Sequence, residues 1–345
     1  MTPPRVTVIV PCRNEERYLA ACLDSILAGT YPHDRLEILV VDGHSDDRTP
    51  QIAAAYAAVH ACVRLLDNPR RIVPTALNIG IAAATGDVIS RMDAHVVYPP
   101  DYLTRLIAAL RDTEADNVGG RILTAPANGS PLARAIAVAL AHPLGVGNSY
   151  FRIGTAERRW VDTVAFGCYR RDVFRRVGVF DEELVRNQDD EFNHRLIAAG
   201  GRILLLPDVT ATYYARASRR DVARMYYQYG YFKPLAARKL GRVMTVRQLV
   251  PPVFVTSLVG GAALAILWPP AAVLWGALLA TYAAAVIGAS ARVIRTHGVR
   301  CAFALLTVFP ILHLSYGFGF LRGLWNMVGG GRRSAGDATA FPLSR

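Results

Sequence analysis

Asp87-Val88-Ile89-Ser90-Arg91-Met92-Asp93-Ala94-His95 is the stretch from which the fold is read. Val88 and Ile89 open a strand, and side chains along a strand alternate with a period of two, so Asp93 and His95 face the same side where it ends. Two metal-capable groups therefore sit together at a strand exit. Upstream, Val6 to Val10 is an uninterrupted β-branched and aliphatic run stopped by Pro11, as in a parallel strand covered on both faces. Asn14 is placed to cap a helix whose apolar stripe is Leu19, Cys22, Leu23, Ile26 and Leu27. The unit repeats. Ile38 to Val41 is a second strand, Thr49-Pro50 an N-cap and first-turn pair, Val63 to Leu66 a third strand, and Pro74 to Ala84 a third helix. Asp87 to Met92 is then the fourth strand. Such alternation defines an α/β sheet with right-handed crossovers, which binds ligands at the carboxyl ends of its strands. Arg13 to Glu15, Asp42, Asp67-Asn68 and Asp93 all fall at those ends.

Downstream, Leu103, Leu106, Ile107 and Leu110 mark a further amphipathic helix and Val118 to Leu123 a strand. Pro131 to Leu144 fits two readings, a helix touching a membrane or one packed on the sheet. Gln188 to Ala199 reads as a helix with Asp189, Asp190 and Glu191 in its first turn, and Arg202 to Leu206 as a strand ended by Pro207.

The charge of the 345-residue chain is divided sharply: residues 1–215 hold 23 Lys+Arg against 25 Asp+Glu, and residues 216–345 hold 16 against 2. The basic half is also the apolar half. No Asp, Glu, Lys or Arg occurs from Gln248 to Ala291 or from Cys301 to Leu321, stretches too long for ordinary buried helices. Basic charge beside such spans points to lipid headgroups or a lipid diphosphate, and the acidic balance of residues 1–215 argues against a nucleic-acid partner. The organisation expected is a cytoplasmic catalytic domain over 1–215, a basic amphipathic interfacial segment over 216–248, a transmembrane region over 249–325 and a polar tail over 326–345. Spans are expected at about 250–268, 271–290 and 301–321, with Arg292, Arg295 and Arg300 inside. Three full spans leave Arg332 and Arg333 outside, against the positive-inside trend, so a re-entrant third segment stays open. The five cysteines show no C-x-x-C spacing, which indicates neither zinc nor a disulfide framework, and no signal peptide is read at the start.

Taken together, these residues resemble the inverting family 2 glycosyltransferases, whose catalytic domain has the GT-A fold, a Rossmann-like nucleotide-sugar-binding α/β architecture. The markers are Val10-Pro11-Cys12-Arg13-Asn14-Glu15, Val41-Asp42-Gly43-His44-Ser45-Asp46-Asp47-Arg48-Thr49, Asn78-x-Gly80, Gly86-Asp87, Asp93-Ala94-His95, and Phe180-Asp181-Glu182 followed by Gln188-Asp189-x-Glu191. With Gly147-Asn148-Ser149 added, the chain looks most like the glucosyltransferases of succinoglycan-type exopolysaccharide assembly. The resemblance implies that Pro11, Arg13, Glu15, Asp42 and Asp93 bind the nucleotide-sugar donor, with Asp67 and Arg71 adding contacts. It implies that Asp93 is the first acid of a D-x-D metal motif whose second position is here His95. Imidazole favours Mn²⁺ over Mg²⁺, although a contact of His95 with phosphate is equally open. Asp189 falls on the general base, and Gln188 replaces the family's neighbouring Glu. Trp160, Asp162, Gly167 and Gln188 fall on acceptor-binding positions; Trp160 reads equally as a sugar platform or a core aromatic.

The function expected is a multi-pass inner-membrane enzyme that moves a single hexose, glucose from UDP-glucose, to a polyprenyl-pyrophosphate-linked saccharide. The Q-x-x-R-W motif of processive relatives is absent after Gln228. A polyprenyl-phosphate sugar synthase and a non-catalytic scaffold of a polysaccharide assembly complex are the alternatives.

Overall fold

The structure, a computed structural model, describes residues 2–242 and 245–328. Three strand–helix units lead into a fourth strand: β1 (Val6–Cys12), α1 (Leu19–Leu27), β2 (Leu36–Asp42), α2 (Thr49–Val59), β3 (Val63–Asp67), α3 (Val73–Ala83) and β4 (Val88–Arg91). β1 runs parallel to β2 on one side and β4 on the other, and β2 parallel to β3. The chain continues through β5 (Val96–Val97), α4 (Tyr102–Asp112), β6 (Asn117–Ala125), α5 (Pro131–Ala139), α6 (Pro143–Val146), α7 (Tyr150–Ile153), β7 (Arg159–Trp160), β8 (Cys168–Arg170), α8 (Asp172–Arg176), α9 (Gln188–Ala198) and β9 (Ile203–Tyr214). Among the described residues the sheet has the order β3-β2-β1-β4-β8-β6-β9-β5, with β7 pairing on β9. The period of two decides where the core lies. Val6, Val8 and Val10 join one hydrophobic cluster and Ile9 the other, one on each face.

Several boundaries differ from the sequence reading, β1 itself running through Pro11 to Cys12, and three of the differences have a local cause. Asn14 does not cap α1; its backbone is left-handed at φ 54°, and its Oδ1 accepts from the Asp46 N–H at 2.8 Å, tying the loop after β1 to that after β2. Thr49 is the first residue of α2 instead of its cap, because its Oγ1 already accepts from the Glu15 N–H at 2.7 Å. β9 continues through Pro207, since the register with β6 shifts between Gly120 and Arg121. Pro207, Asp208 and Val209 stand in that irregularity, where a missing N–H breaks no ladder.

Pro131–Ala139 packs between β6 of the sheet and the later helix Val299–Val328: Ala135 and Ile136 are fully buried, and the Ser130 Oγ caps the helix by accepting from the Ala133 N–H at 3.1 Å. After β9 come α10 (Arg219–Leu240), α11 (Val250–Leu267), α12 (Pro270–His297) and α13 (Val299–Val328). The last three are long and apolar enough to cross a membrane. Trp268-Pro269-Pro270 separates the first two, with Pro270 opening α12. α12 is longer than its expected span, so Arg292 and Arg295 lie on its last turns and only Gly298 stands between it and α13. The third apolar segment is one unbroken helix carrying Pro310, with no re-entrant turn. Within the segment expected to be interfacial, Met225, Tyr231 and Phe232 are buried in the protein. Of the tail, 326–328 belong to α13; 329–345, with Arg332 and Arg333, lie outside the described residues.

Candidate active site

Parallel register aligns the strand ends: Cys12 of β1 is level with Asp42 of β2, and Asp42 with Asp67 of β3. Above them opens a cleft of about 950 Å³. Pro11, Arg13, Glu15, Arg71, Asp93, His95, Gln188 and Asp189 all line it. Asn14, Arg71, Phe166 and Asn187, four of the five non-glycine residues with positive φ among the described residues, line it too. Backbone strain of this kind gathers where loops are held in shape for a ligand.

Asp93 follows β4, and the last residue of that strand, Arg91, grips it in a fork: Nε donates to Oδ1 at 2.8 Å and Nη2 to Oδ2 at 3.0 Å. Arg91 Nη1 also reaches Asp189 Oδ2 at 3.6 Å, so one guanidinium bridges two carboxylates more than ninety positions apart in the chain. Burial alone would raise the Asp93 carboxyl, but the charge and hydrogen bonds of Arg91, with His95 and Arg186 beyond, hold it below the ordinary range. Burial works against the charge on Arg91 as well; Asp93 and Asp189 outweigh it and keep the guanidinium charged. His95 Nδ1 lies 3.1 Å from Glu15 Oε1, and its ring meets Tyr213 edge-on with centroids 5.3 Å apart.

Asp189 stands in the first turn of α9, its side chain 38% exposed, with Oδ1 accepting from the Asp190 N–H at 3.0 Å. Negative charge is stabilised at a helix N-terminus. Asp190, which also lines the cleft, forms an ion pair with Lys233 of α10, and Gln248 Nε2 donates to the same oxygen at 3.2 Å. Burial would raise the Asp190 carboxyl, yet Lys233, followed by His194 and Arg247, holds it low. The segment before Asp189 is tied to α10 at several further points. Arg186 Nε donates to Gln228 Oε1 at 3.2 Å, Asn187 Nδ2 donates to the Tyr229 carbonyl at 2.9 Å, and Leu184 and Val185 share a hydrophobic cluster with Tyr231 and Phe232.

The remaining sequence candidates lie outside the walls of this cleft. Asp42 is buried and accepts from the Ser45 N–H at 3.0 Å and the Ser45 hydroxyl at 2.5 Å, which shapes the loop after β2. Asp67 pairs with His44 at 2.8 Å on the open side of the sheet. Gly167 packs behind β4, where a Cβ would fall 2.5 Å from the Tyr169 hydroxyl, and its carbonyl accepts from the Arg91 N–H at 2.9 Å. Trp160 and Asp162 line a separate shallow depression of about 400 Å³. Trp160 is 43% exposed and carries the Arg202 guanidinium 3.8 Å from its ring centre, so it is no core aromatic. Asp162 pairs with Arg247 at 3.1 Å, and Arg247 lines the main cleft.

The sequence reading passed over Arg91, Lys233 and the far wall. Arg91 had a signal, a charge closing a buried strand. The far wall comes from Pro251 of α11 and Leu312, His313 and Tyr316 of α13, residues that hydropathy alone assigns to lipid.

Among the described residues no three His, Cys, Asp or Glu side chains gather around one point. Asp93 and His95 still fit a divalent cation as the protein's share of a site completed by phosphate oxygens. Each Asp93 oxygen spends one lone pair on Arg91 and keeps another, and Glu15 on Nδ1 fixes the His95 ring with Nε2 left as its second nitrogen.

A curled sheet with acids at its strand ends, followed by apolar helices, is a GT-A-type α/β domain joined to a membrane-compatible region. Residues 7–179 match the Glycosyl transferase family 2 profile, and the chain belongs to that family. Succinoglycan biosynthesis protein ExoA of Rhizobium meliloti (strain 1021) is 31% identical over 330 residues, 94% of this chain and 96% of its own length. A dolichyl N-acetyl-alpha-D-glucosaminyl phosphate 3-beta-D-2,3-diacetamido-2,3-dideoxy-beta-D-glucuronosyltransferase of Methanococcus voltae is 29% identical over 242 residues, 68% of this chain and 74% of its own. In fold, the chain is similar to a solved mannosyltransferase of Pyrobaculum calidifontis in complex with GDP-mannose and Mn²⁺. The TM-score is 0.58 at 23% identity, covering 94% of this chain and 88% of that one.

Proposed function

We propose that this glycosyltransferase works at the cytoplasmic face of the inner membrane, inverting configuration as it moves one hexose from a nucleotide sugar to a lipid-linked saccharide in exopolysaccharide biosynthesis. The observation that carries the reading is the composition of the cleft, in which Asp93 and Asp189 share one space with Pro251, Leu312 and Tyr316 of the apolar helices. A polar acceptor on an apolar anchor suits such walls. Glucose, with UDP-glucose as donor, follows from the resemblance to succinoglycan-type glucosyltransferases; the succinoglycan biosynthesis relative supports the exopolysaccharide role, and the dolichyl-linked sugar phosphate in the archaeal relative's name supports a polyprenyl-linked acceptor. The basic residues of α10 favour the cytoplasmic side.

Glu15, Arg13 and Arg71 line the nucleotide end of the cleft. Asp189 accepts the proton of the acceptor hydroxyl as its oxygen attacks the anomeric carbon; the new glycosidic bond forms while the bond to the diphosphate breaks on the opposite side. The electron pair leaves with the nucleoside diphosphate. Asp93 and His95 would hold a divalent cation, Mn²⁺ before Mg²⁺ because one donor is imidazole, and it would neutralise charge on that diphosphate. Arg91 holds Asp93 in place and keeps Asp189 close to it. Gln188 lines the acceptor side, and Asp162 and Trp160 extend it outward beyond Arg247.

The test offers a panel of labelled nucleotide sugars to membranes holding the protein, with and without Mn²⁺, and follows label into the lipid fraction. UDP-glucose with Mn²⁺ is expected to label a diphosphate-linked saccharide, whereas labelling of bare polyprenyl phosphate would establish the synthase instead. Asp189→Asn is expected to abolish transfer and spare donor binding; substantial turnover in that variant removes Asp189 as the base.

A further inference from the structure

α13 is apolar enough to cross a membrane, but its neighbours decide where it lies. Arg219 Nε donates to Thr307 Oγ1 at 3.2 Å, a Cβ on Gly319 would fall 2.1 Å from the Tyr227 carbonyl oxygen, and one on Gly323 would fall 2.2 Å from that of Tyr231. These contacts advance together along both chains, so α13 runs beside α10 in the same direction from Thr307 to Gly323. α10 carries Arg219, Arg220, Asp221, Arg224, Lys233, Arg238 and Lys239 and cannot enter hydrocarbon. The preceding part of α13 is no freer, because Leu305, Val308 and Phe309 are buried in the core cluster that holds Ala135 and Ile136 of α5. The contacts with the other apolar helices fall at the start of α11 and from the middle of α12 onward, where the Tyr282 hydroxyl lies 2.8 Å from His313 Nδ1. Gly317 approaches Pro251 and Val255 at the start of α11, and Val286, Ala289 and Val293, late in α12, share the cluster of Leu305. α11 and α12 otherwise present large apolar side chains outward, among them Ile266, Leu267, Val273 and Leu274.

We propose that α11 and α12 alone cross the membrane, as a hairpin turning at Trp268-Pro269, and that α13 lies in the plane of the interface beneath the catalytic domain, bound to the lipid surface. Its outward face fits that partner. Phe303, Phe318, Trp325 and Val328 are exposed, and at 100° per residue they fall within one quarter of the helix circumference. Arg300 and Arg322 stand near that face for anionic headgroups, and an aromatic stripe beside arginine is the composition of an in-plane anchor. The arrangement explains how Leu312, His313 and Tyr316 line a cleft that must open to water-soluble nucleotide sugar while its floor meets lipid. It also returns the chain after Val328 to the side of the catalytic domain. The side itself rests on the function proposed above; the equality of sides does not.

The test fuses green fluorescent protein and alkaline phosphatase in turn to the N-terminus, after Trp268 and after Arg345 of the full chain in a bacterial inner membrane. The two reporters are active on opposite sides, so every fusion gives a positive signal. Both termini are expected to give fluorescence and the Trp268 fusion phosphatase activity. Fluorescence at one terminus with phosphatase activity at the other overturns the in-plane placement of α13. Phosphatase activity at both termini with fluorescence at Trp268 leaves that placement standing and overturns the cytoplasmic reading of the catalytic domain.

Discussion

Replacing Lys233 with Met tests whether α10 seats Asp189, the proposed base. Lys233 and Asp190 are 8% and 13% exposed at the side chain, so the substitution strands a carboxylate among Gln248, His194, Arg247 and the neighbouring Asp189. Breaking a buried pair from one side costs about 3–5 kcal/mol. The carboxyl can escape by taking up a proton. From an ordinary value near 3.9, doing so at pH 7 costs about 4 kcal/mol, which sets a ceiling. Gln248 still donates to the carboxylate, so a loss of about 3 kcal/mol in the stability of this region is the working figure. Asp189 should feel it, because its Oδ1 is held by the Asp190 N–H, and a displacement of 1 Å at a reacting group costs about 10²-fold in rate. The assay is steady-state transfer by the full chain in nanodiscs, with donor affinity measured separately by nucleotide binding. In Lys233→Met, kcat is expected to fall about 10- to 100-fold with donor Kd within about twofold, and Lys233→Arg should recover part of the loss. Asp190→Asn combined with Lys233→Met removes the stranded charge and should restore kcat to within about fivefold of wild type. A kcat within about threefold of wild type in the single variant, or a deficit undiminished in the double one, would refute the reasoning.

Glu37 gives a pH test of the sheet. Burial raises its carboxyl, but hydrogen bonds from the Thr7 hydroxyl, the Thr85 N–H and hydroxyl, and Arg64 outweigh burial and depress it. A depressed carboxyl stabilises fully above its unfolded value and ceases to do so as pH falls through the folded one. Glu37→Gln is therefore expected to lose about 1–2 kcal/mol above roughly pH 4.3 in denaturant unfolding, with the gap closing in more acidic buffer; a gap independent of pH would contradict the assignment. Gly319→Val forces α10 and α13 apart, since its Cβ alone would fall 2.1 Å from the Tyr227 carbonyl. Loss of transfer together with a thermal midpoint lowered by about 5 °C or more is expected in detergent micelles, and an unchanged midpoint would show that the two helices do not pack so closely.

What the sequence disclosed follows from the range of each interaction. The β-branched run of β1 and the stripe of α1 are local patterns, and a sheet covered on both faces imposes them directly, so the succession of strands and helices up to β4 could be read, though not their order in the sheet. Asp93, His95 and Asp189 were legible because short motifs fix their places on the ends of elements. Asn14 and Thr49 were misassigned for the converse reason. Both have the chemistry of helix caps, but Asp46 and Glu15, each more than thirty positions away, engage their side chains first.

Lys233 shows the limit more sharply. Only two lysines occur in a chain with 37 arginines, and both stand on α10 facing acids of the segment around Asp189, Lys233 on Asp190 and Lys239 on Asp181 and Glu183. Rarity marks the positions, but nothing local says that a basic helix is turned inward. The same holds for α13. A hydropathy window measures what a helix would gain from lipid; it does not weigh the charged helix packed against it. Transfer into hydrocarbon would carry α10 and its arginines along or tear the pair apart at Gly319 and Gly323, and either outcome opposes the gain that the window records. The apolar residues of α13 therefore do two jobs at one depth, closing the reaction cleft on one face and meeting the lipid surface on the other.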